Sequence, residues 1–289
     1  MIRQKGALAL SFCVLAIGIL VFAGNVRADE LIYANSAGSS GLQVYDAQTG
    51  ALVQSISQAQ LGNFGNGRGV VKVGDILYYT YATSNSVYAY NLATNTNLGV
   101  VFSVAGANGL ATMAYDGTSF WLGDYSGTNH AYHYSLTGTL LSTVSLDSCN
   151  GFCDGLEFAN GNLISNRDDG GFGTPSTYDV YSLSGGAPTL AGLINTTFGA
   201  TGIAFDGTNY FVSDIYHGQL DVYNSAGTFL NTVTLQNPTR LIEDLSFDYN
   251  VVIPPPPPSA PEPASLSLLM VGLAGVAILR RKRAANLAV

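Results

Sequence analysis

A repeat of about 45 residues constrains this chain more than any other feature. Five short, strand-like apolar runs begin at Leu31, Leu77, Phe120, Leu163 and Tyr210, at spacings of 46, 43, 43 and 47 residues. Self-similarity at a fixed period of this length is typical of repeat architectures, in which each repeat forms one supersecondary unit. The five runs therefore predict five structural repeats.

Each repeat has the same order of strands and turns. A loop follows the first run and leads to a second run that ends in tyrosine: Leu42–Tyr45, Val87–Tyr90, Ala131–Tyr134, Tyr178–Tyr181 and Leu220–Tyr223. A polar turn and a third apolar strand follow, and a short strand with an Asp-Gly-Thr turn, such as Asp206–Thr208, precedes the first run. Glycine supplies the positive φ of such turns. Four strands per repeat without helical periodicity predict an all-β, five-bladed β-propeller.

The ends of the repeat region predict how the ring closes. The first repeat begins at Leu31 and leaves no room for an innermost strand, whereas Asp244–Tyr249 has the pattern of such a strand with nothing after it. We expect this C-terminal strand to close blade one, which removes exposed sheet edges. A sixth blade is an alternative if Gln58–Gly69 contains extra strand. A β-sandwich or a β-solenoid is the alternative architecture.

The turns and strands of the repeats carry a family resemblance. The Asp-Gly-Thr turns and the stretch Val212–Gly227 resemble blades of the NHL and SMP-30-like propeller families. The likeness covers most of the chain from Asp29 to Asn250. It implies a propeller domain over residues 29–250.

The N-terminus has the pattern of an export signal. Arg3 and Lys5 precede an uncharged run from Gly6 to Asn25, and small residues surround a cleavage position after Ala28. This order is typical of a secretory signal peptide over residues 1–28, removed by signal peptidase. An uncleaved membrane anchor is the alternative. In either case the domain leaves the cytoplasm.

The C-terminus has three successive parts after a proline-rich linker at residues 251–260. Pro261-Glu262-Pro263 comes first, the uncharged segment Ala264–Leu279 second, and the basic group Arg280, Arg281, Lys282 and Arg283 last. Sixteen apolar residues span about 24 Å as a helix, slightly less than a hydrocarbon core. Cations stay on the cytoplasmic side, so this pattern predicts a single transmembrane helix over residues 264–279 with the domain outside. A buried core helix is the alternative.

This tripartite tail over residues 261–289 closely resembles the PEP-CTERM sorting signal of Gram-negative bacteria. The resemblance implies recognition by a membrane-embedded exosortase, a Cys-dependent transpeptidase-like enzyme. It also implies transient residence in the inner membrane, followed by release or transfer to the cell surface or the extracellular matrix. Strains with this system often make exopolysaccharide.

The charge of the domain narrows the classes of ligand. Between Asp29 and Asn250 there are 18 acidic and four basic residues, a formal charge of −14. Such a field repels phosphate backbones and argues against nucleic acid, whereas calcium or a cationic partner fits it better.

Cys149 and Cys153 flank a short glycine-containing loop and are candidates for a disulfide in an oxidising compartment.

Equivalent positions in the repeats give candidate ligand-binding residues. The residues four after the start of each first run are Asn35, Tyr81, Asp124, Arg167 and Asp214. In a propeller we expect them near the loops of one face, around the central channel, with Tyr125 and Tyr216 as stacking surfaces for a small polar ligand or a sugar. The alternative is that these polar residues end strands because the chain re-enters water.

Other acidic residues suggest weaker sites. Asp168 and Asp169 lie in the longest inter-strand loop and match part of a calcium loop, with a solvated turn as the alternative. Asp154 and Glu157 are a candidate carboxylate pair for glycoside hydrolysis, again with a turn as the alternative. His130 and His133 are three apart in one expected strand, so they face opposite sides and form no zinc pattern.

The sequence therefore predicts a secreted, non-enzymatic propeller that binds carbohydrate or protein at the cell surface or in the exopolysaccharide matrix. We expect no cofactor, with calcium as the alternative. A first rival is an extracellular hydrolase or lactonase that uses Asp124, Asp214 and Glu157 at the channel mouth. A second rival is a structural component of the matrix.

Overall fold

The computed structural model describes residues 30–249, except 39–40, 64, 126, 148–152, 168–174, 197–198 and 238–240. The predicted signal peptide, linker and transmembrane helix therefore lie outside the described residues. Within the described ranges, no helix is both long and apolar enough to cross a membrane.

Five four-stranded antiparallel sheets form the blades of a propeller. The innermost strands are β4 (Gly67–Val73), β8 (Leu110–Tyr115), β12 (Leu156–Ala159), β16 (Ala200–Phe205) and β20 (Ile242–Ser246). The second strands are β1 (Leu31–Ser36), β5 (Ile76–Tyr81), β9 (Ser119–Asp124), β13 (Asn162–Arg167) and β17 (Asn209–Asp214). Each second strand contains one of the five apolar runs, so the predicted repeat is confirmed.

The remaining strands complete the blades outward. The third strands are β2 (Leu42–Asp46), β6 (Ser86–Asn91), β10 (His130–Ser135), β14 (Thr177–Tyr181) and β18 (Gln219–Asn224). The outermost strands are β3 (Leu52–Ile56), β7 (Thr96–Ser103), β11 (Leu140–Ser145), β15 (Leu190–Asn195) and β19 (Phe229–Thr234). Burial decreases outward: every residue of β8 is buried, whereas most of β19 is exposed.

The C-terminal strand closes the ring, as the sequence predicts. β20 pairs with β1 in blade one, with Tyr33 opposite Ser246, and contacts the innermost strands β4 and β16 on either side. The strand begins at Ile242 and ends at Ser246, two and three residues earlier than the expected bounds. Gln58–Leu61 forms a short helix, α1, before β4, so this segment adds no sixth blade. A single sandwich or solenoid is excluded by the five separate sheets.

The tight turns follow from the predicted Asp-Gly-Thr pattern. In the β8–β9 turn, Asp116 Oδ1 accepts hydrogen bonds from the amides of Thr118 (2.9 Å) and Ser119 (2.8 Å), and Gly117 has φ +96°. Asp206 makes the equivalent bonds in the β16–β17 turn, where Gly207 has φ +91°. The aspartate fixes the turn and the glycine permits its backbone.

The apolar core lies between neighbouring blades. Five clusters fill the five gaps; for example, Tyr33 and Val44 of blade one pack with Val70 and Leu77 of blade two. Large aromatic side chains such as Trp121 and Tyr79 are almost fully buried in these gaps. Because each blade buries apolar residues on both faces, the blades stabilise one another around the ring.

The antiparallel order gives the ring two distinct faces. The upper face of the ring is formed by the connections between second and third strands and by the connections between successive blades. The lower face carries the tight turns within each blade. Since β1 runs upward and β20 runs downward, Glu30 and Tyr249 both lie at the lower face.

Candidate site on the upper face

The five repeat-equivalent residues lie at the upper ends of the second strands. Strand order places them one strand behind the innermost strands that line the channel. Asn35 and Tyr81 are 1% exposed. The Asn35 amide donates to the carbonyls of Gly69 (2.9 Å) and Thr80 (3.3 Å), and the Tyr81 ring packs edge-on against Tyr79. Asn35 thus joins blade one to blade two, and Tyr81 belongs to the apolar cluster between the same two blades.

The two aspartates of this set bond within their own blades. Asp124 Oδ2 accepts from the hydroxyls of Thr128 and Tyr132. Asp214 Oδ1 accepts from the amides of Tyr216 (2.8 Å) and His217 (3.1 Å). Asp214 thereby fixes the loop that carries the partly exposed Tyr216 ring.

The longest inter-strand loop, which follows Arg167, is described only in part. Arg167 Nη1 lies 3.7 Å from Asp179 Oδ2 in the same blade. Asp168 and Asp169 lie outside the described residues, and among the described residues no group of three or more His, Cys, Asp or Glu is placed to hold a metal ion. Calcium binding and ligand binding by the predicted set stay predictions.

The disulfide candidate is also seen only in part. Cys153 is buried and disulfide-bonded. Cys149 lies outside the described residues. The pairing of these two cysteines stays a prediction.

A buried ion pair occupies the upper end of the channel. Arg68 Nη1 lies 2.6 Å from Glu243 Oε2, and Arg68 Nη2 donates to the Tyr125 hydroxyl at 3.0 Å. The guanidinium also lies 4.6 Å from the centre of the Tyr125 ring. Burial, with a smaller contribution from Asp154, raises the pKa of Glu243 to about 7 against the opposing attraction of Arg68. Tyr125, predicted as a stacking surface, therefore covers this ion pair.

A second buried carboxylate lies at the lower end. Glu157 Oε2 accepts from the Phe205 amide (3.1 Å) and from the Tyr249 hydroxyl, and Oε1 accepts from the Phe158 amide (2.7 Å). Burial raises the pKa of Glu157 to about 8. Asp154 precedes β12 on the upper side and acts on Glu243, whereas Glu157 contacts Tyr249 after the closing strand. The two candidate carboxylates thus have different neighbours.

The upper face contains an open depression of about 500 Å³ beside the start of β4. Its lining residues are Gly38, Gln58, Asn63, Gly65 and Asn66. None of these five side chains is charged. Gln58 is 8% exposed, and its Oε1 accepts from the Gly65 amide at 3.3 Å. Within the part of the chain that is described, its Nε2 is buried without a hydrogen-bond partner.

The sequence reasoning missed the residues that line this depression and the channel mouth. Asn66 and Arg68 belong to the run Gly65-Asn66-Gly67-Arg68-Gly69, which has the glycine content of a phosphate loop but opens no helix. The sequence signal that could have indicated these residues is the high content of Gly and Asn in this run between two strands. Glu243 had no such signal, because its pairing with Arg68 depends on ring closure.

The closed ring of five blades defines the class of this protein as a β-propeller. Solved structures share the fold: one described as the nidogen/laminin complex has a TM-score of 0.51 at 11% identity, covering 76% of this chain and 98% of that chain. A protein of unknown function from Bacteroides caccae has a TM-score of 0.50 at 10% identity, covering 76% and 99%. At these identities the likeness concerns the fold alone.

The tail gives the more specific assignment. Residues 259–283 match the PEP-CTERM protein-sorting motif. The chain thus carries a motif that implies export, processing by an exosortase and sorting to the cell envelope or surface. No curated protein matches the chain by sequence.

Proposed function

We propose that this protein is a binding module that an exosortase delivers to the cell surface or the exopolysaccharide matrix, where its upper face binds carbohydrate. The observation that carries the proposal is the sorting motif at residues 259–283, which follows the closed propeller in the sequence. In this proposal the tail crosses the inner membrane transiently and is then removed. Protein is the second class of ligand, and no cofactor is required.

The position of the chain ends supports the use of the upper face. Glu30 and Tyr249 both lie at the lower face, so the leader and the tail are attached on that side. The point of attachment of the tail therefore does not cover the upper face. The linker at residues 251–260, with five consecutive prolines, is suited to act as a stiff spacer between the domain and the tail.

The carboxylates favour binding over hydrolysis. Glycoside hydrolysis requires two carboxyl groups on either side of one bond of the substrate. Asp124 and Asp214 instead accept hydrogen bonds within separate blades, and Glu157 accepts from Tyr249 at the lower end. These contacts hold the three groups of the rival hydrolase in different surroundings.

The delivery part of the proposal is tested by fractionating cells with and without the exosortase and measuring the intact mass of the mature protein. Loss of the residues after Pro263 and release to the surface, only when the exosortase is present, would support it. A full-length, membrane-held product in both strains would overturn it.

The binding part is tested by cosedimentation of the released protein with purified matrix polysaccharide. Retention on the polysaccharide supports binding. Release of new reducing ends would instead support the hydrolase, and a difference with chelator present would indicate calcium. No retention on polysaccharide, with capture of a surface protein, would move the proposal to the second class of ligand.

A further inference from the structure

We infer that copies of this chain associate through the outer rim of the propeller, which is formed by the five outermost strands β3, β7, β11, β15 and β19. Each of these strands is the last of its sheet, so within the described part of the chain only its inner side is paired with another strand. An unpaired strand edge presents N–H and C=O groups with which another chain can pair. The inference goes beyond the proposed function, because it does not depend on what the upper face binds.

The rim lacks the devices that usually keep strand edges apart. Edge strands of soluble proteins commonly carry charged side chains or proline, which oppose pairing with a second chain. None of the five rim strands contains a charged residue or a proline, and all five are described in full. The 18 acidic and four basic residues of the domain therefore all lie off the rim.

Exposed apolar side chains are concentrated on the rim. Among the described residues, nine of the twelve large apolar side chains that are exposed belong to rim strands, with at least one on every strand. Blades three and five expose adjacent pairs, Leu140 with Leu141 and Phe229 with Leu230, each residue 50–53% exposed. Apolar residues that cluster on a surface in this way mark interaction sites, whereas isolated ones do not.

A β-bulge places one of these residues at the same position in four blades. The register between the third and outermost strands skips Val53, Leu98, Leu141 and Leu230, each near the start of its rim strand. These four bulge residues are 50–56% exposed. Because bulges interrupt a continuous ladder, they oppose fibre growth. We therefore expect copies to meet through the bulge residues and a short stretch of strand, in a reversible association.

The charge of the domain indicates a second copy as the occupant of the rim. A formal charge of −14 opposes the approach of two copies through their other surfaces, and it also opposes an anionic lipid surface. Two rims meet without placing one charged rim side chain against another. Two copies of one rim strand in antiparallel orientation are related by a two-fold axis, so each offers the other the same apolar and hydrogen-bonding groups.

The expected association is weak at each contact and is strengthened by repetition. One short strand edge buries less than about 1,200 Å², the lower bound of a standard interface. Five equivalent edges on one ring allow several such contacts at once, which raises the overall affinity. Salt screens the repulsion between acidic domains. We therefore expect association to increase with protein concentration and with salt.

The test measures the weight-average mass of the mature exported protein by sedimentation equilibrium, over a range of concentrations, in about 0.05 M and about 0.5 M NaCl. The rim variant changes the four bulge residues to serine, which alters no charge. The matched control changes the three exposed apolar residues off the rim, as Leu183→Ser, Tyr216→Ser and Leu241→Ser. We expect wild type and the control to associate alike. We expect the rim variant to have a dissociation constant about tenfold higher or more, with a melting temperature close to that of wild type.

A second variant separates apolar contact from charge. Leu141→Lys with Leu230→Lys lowers the net negative charge, and so the repulsion, but it places a cation on two rim strands. We expect this variant to associate more weakly than wild type. Stronger association would overturn the inference, because repulsion rather than rim contact would then control the assembly.

The remaining outcomes identify other occupants. A wild type that stays monomeric at every concentration and salt, or an equal loss of association in the rim variant and the control, would overturn the inference. A monomeric wild type that floats with phosphatidylcholine vesicles, unlike the rim variant, would assign the rim to a lipid surface instead. Retention on matrix polysaccharide tests the proposed function separately, so the failure of one is distinguishable from the failure of the other.

Discussion

The Arg68 guanidinium lies against the Glu243 carboxylate, with Nη1 2.6 Å from Oε2, and both side chains are buried. The pair joins blade two to the closing strand of blade one. Removal of the cation alone leaves a buried carboxylate without its partner, which typically costs about 3–5 kcal/mol. We therefore expect Arg68→Met to lower the free energy of unfolding in urea by about 3 kcal/mol at pH 8.

The double variant Arg68→Met with Glu243→Gln is the control for this pair. It removes the unpaired charge, so we expect it to regain more than half of the loss. We also expect a smaller loss in Arg68→Met at pH 5, because Glu243 then takes up a proton. A loss that is equal at both pH values and in both variants would contradict the buried-charge explanation.

Glu157 predicts a second pH effect. Burial raises its pKa to about 8 in the folded protein, well above about 4.3 for an unfolded chain. The folded state thus holds a proton that the unfolded state releases. The stability that this proton contributes is complete below about pH 4 and is lost as the pH rises through 8. We expect the free energy of unfolding to fall between pH 5 and pH 8.5.

Glu157→Gln tests the source of this slope. It cannot ionise, so its unfolding free energy should depend less steeply on pH than that of wild type. Glu243 contributes in the same direction, which leaves part of the slope in the variant. Identical slopes, from urea unfolding at several pH values, would show that Glu157 is not the cause.

Asp244 connects three blades through two backbone amides. Its Oδ2 accepts from Val70 N in blade two and from Met113 N in blade three, both at 3.1 Å. Asp244→Ala leaves both buried donors without an acceptor, at about 1–3 kcal/mol each. We expect a loss of about 3 kcal/mol in urea unfolding. Asp75→Ala, in an exposed turn, should change stability by less than about 0.5 kcal/mol; a comparable loss there would contradict this role.

Asp116 fixes the surroundings of the chain's single tryptophan. Its Oδ2 accepts from Trp121 Nε1 at 3.2 Å and from Ser119 Oγ at 2.6 Å, and the His133 ring stacks on Trp121 at 4.0 Å. Burial opposes ionisation of Asp116, but the hydrogen bonds from Ser119 and Thr118 outweigh burial and lower the pKa of Asp116. The stability it contributes is therefore lost as the pH falls through this lowered pKa.

We expect Asp116→Ala to shift the native emission of Trp121 and to lower the unfolding free energy by about 2 kcal/mol. Asp206→Ala is the matched control, because Asp206 fixes the equivalent turn of blade five but has no tryptophan beside it. It should destabilise the protein without changing the native emission. Equal emission shifts in the two variants would contradict the local explanation.

The fold was predictable because its signals are local and repeated. The run that begins at Phe120 recurs at Tyr210, and the turn at Asp116 recurs at Asp206. Each of these signals predicts a strand or a turn without knowledge of the ring. The missing innermost strand before Leu31 also predicted the closure. The bounds of β20 shifted because its pairing with β1, rather than its own pattern, sets where it begins.

The candidate site was less predictable because it depends on contacts between distant segments. Asn35 is equivalent to Asp214 in the repeat, yet it bonds the next blade while Asp214 bonds its own loop. Gln58 Oε1 accepts from the Gly65 N–H, a contact that forms only once the loop after α1 folds back. A repeat aligns positions, but the contacts of the aligned side chains depend on where the repeats differ.

The pairing of β1 with β20 gives the chain an order of assembly. β1 is the first strand of the domain to be synthesised and exported, and β20 is the last, so almost the whole domain separates the partners. Until Ile242–Ser246 arrives, the inner edge of β1 has no partner and the ring stays open. Hairpins within blades two to five can form early, because their contacts are local. The pairing of β1 with β20 is slower, because it must close a loop of almost the whole domain and this closure costs conformational entropy. The sorting motif follows β20 in the chain, so it emerges only after every strand needed to complete the circle.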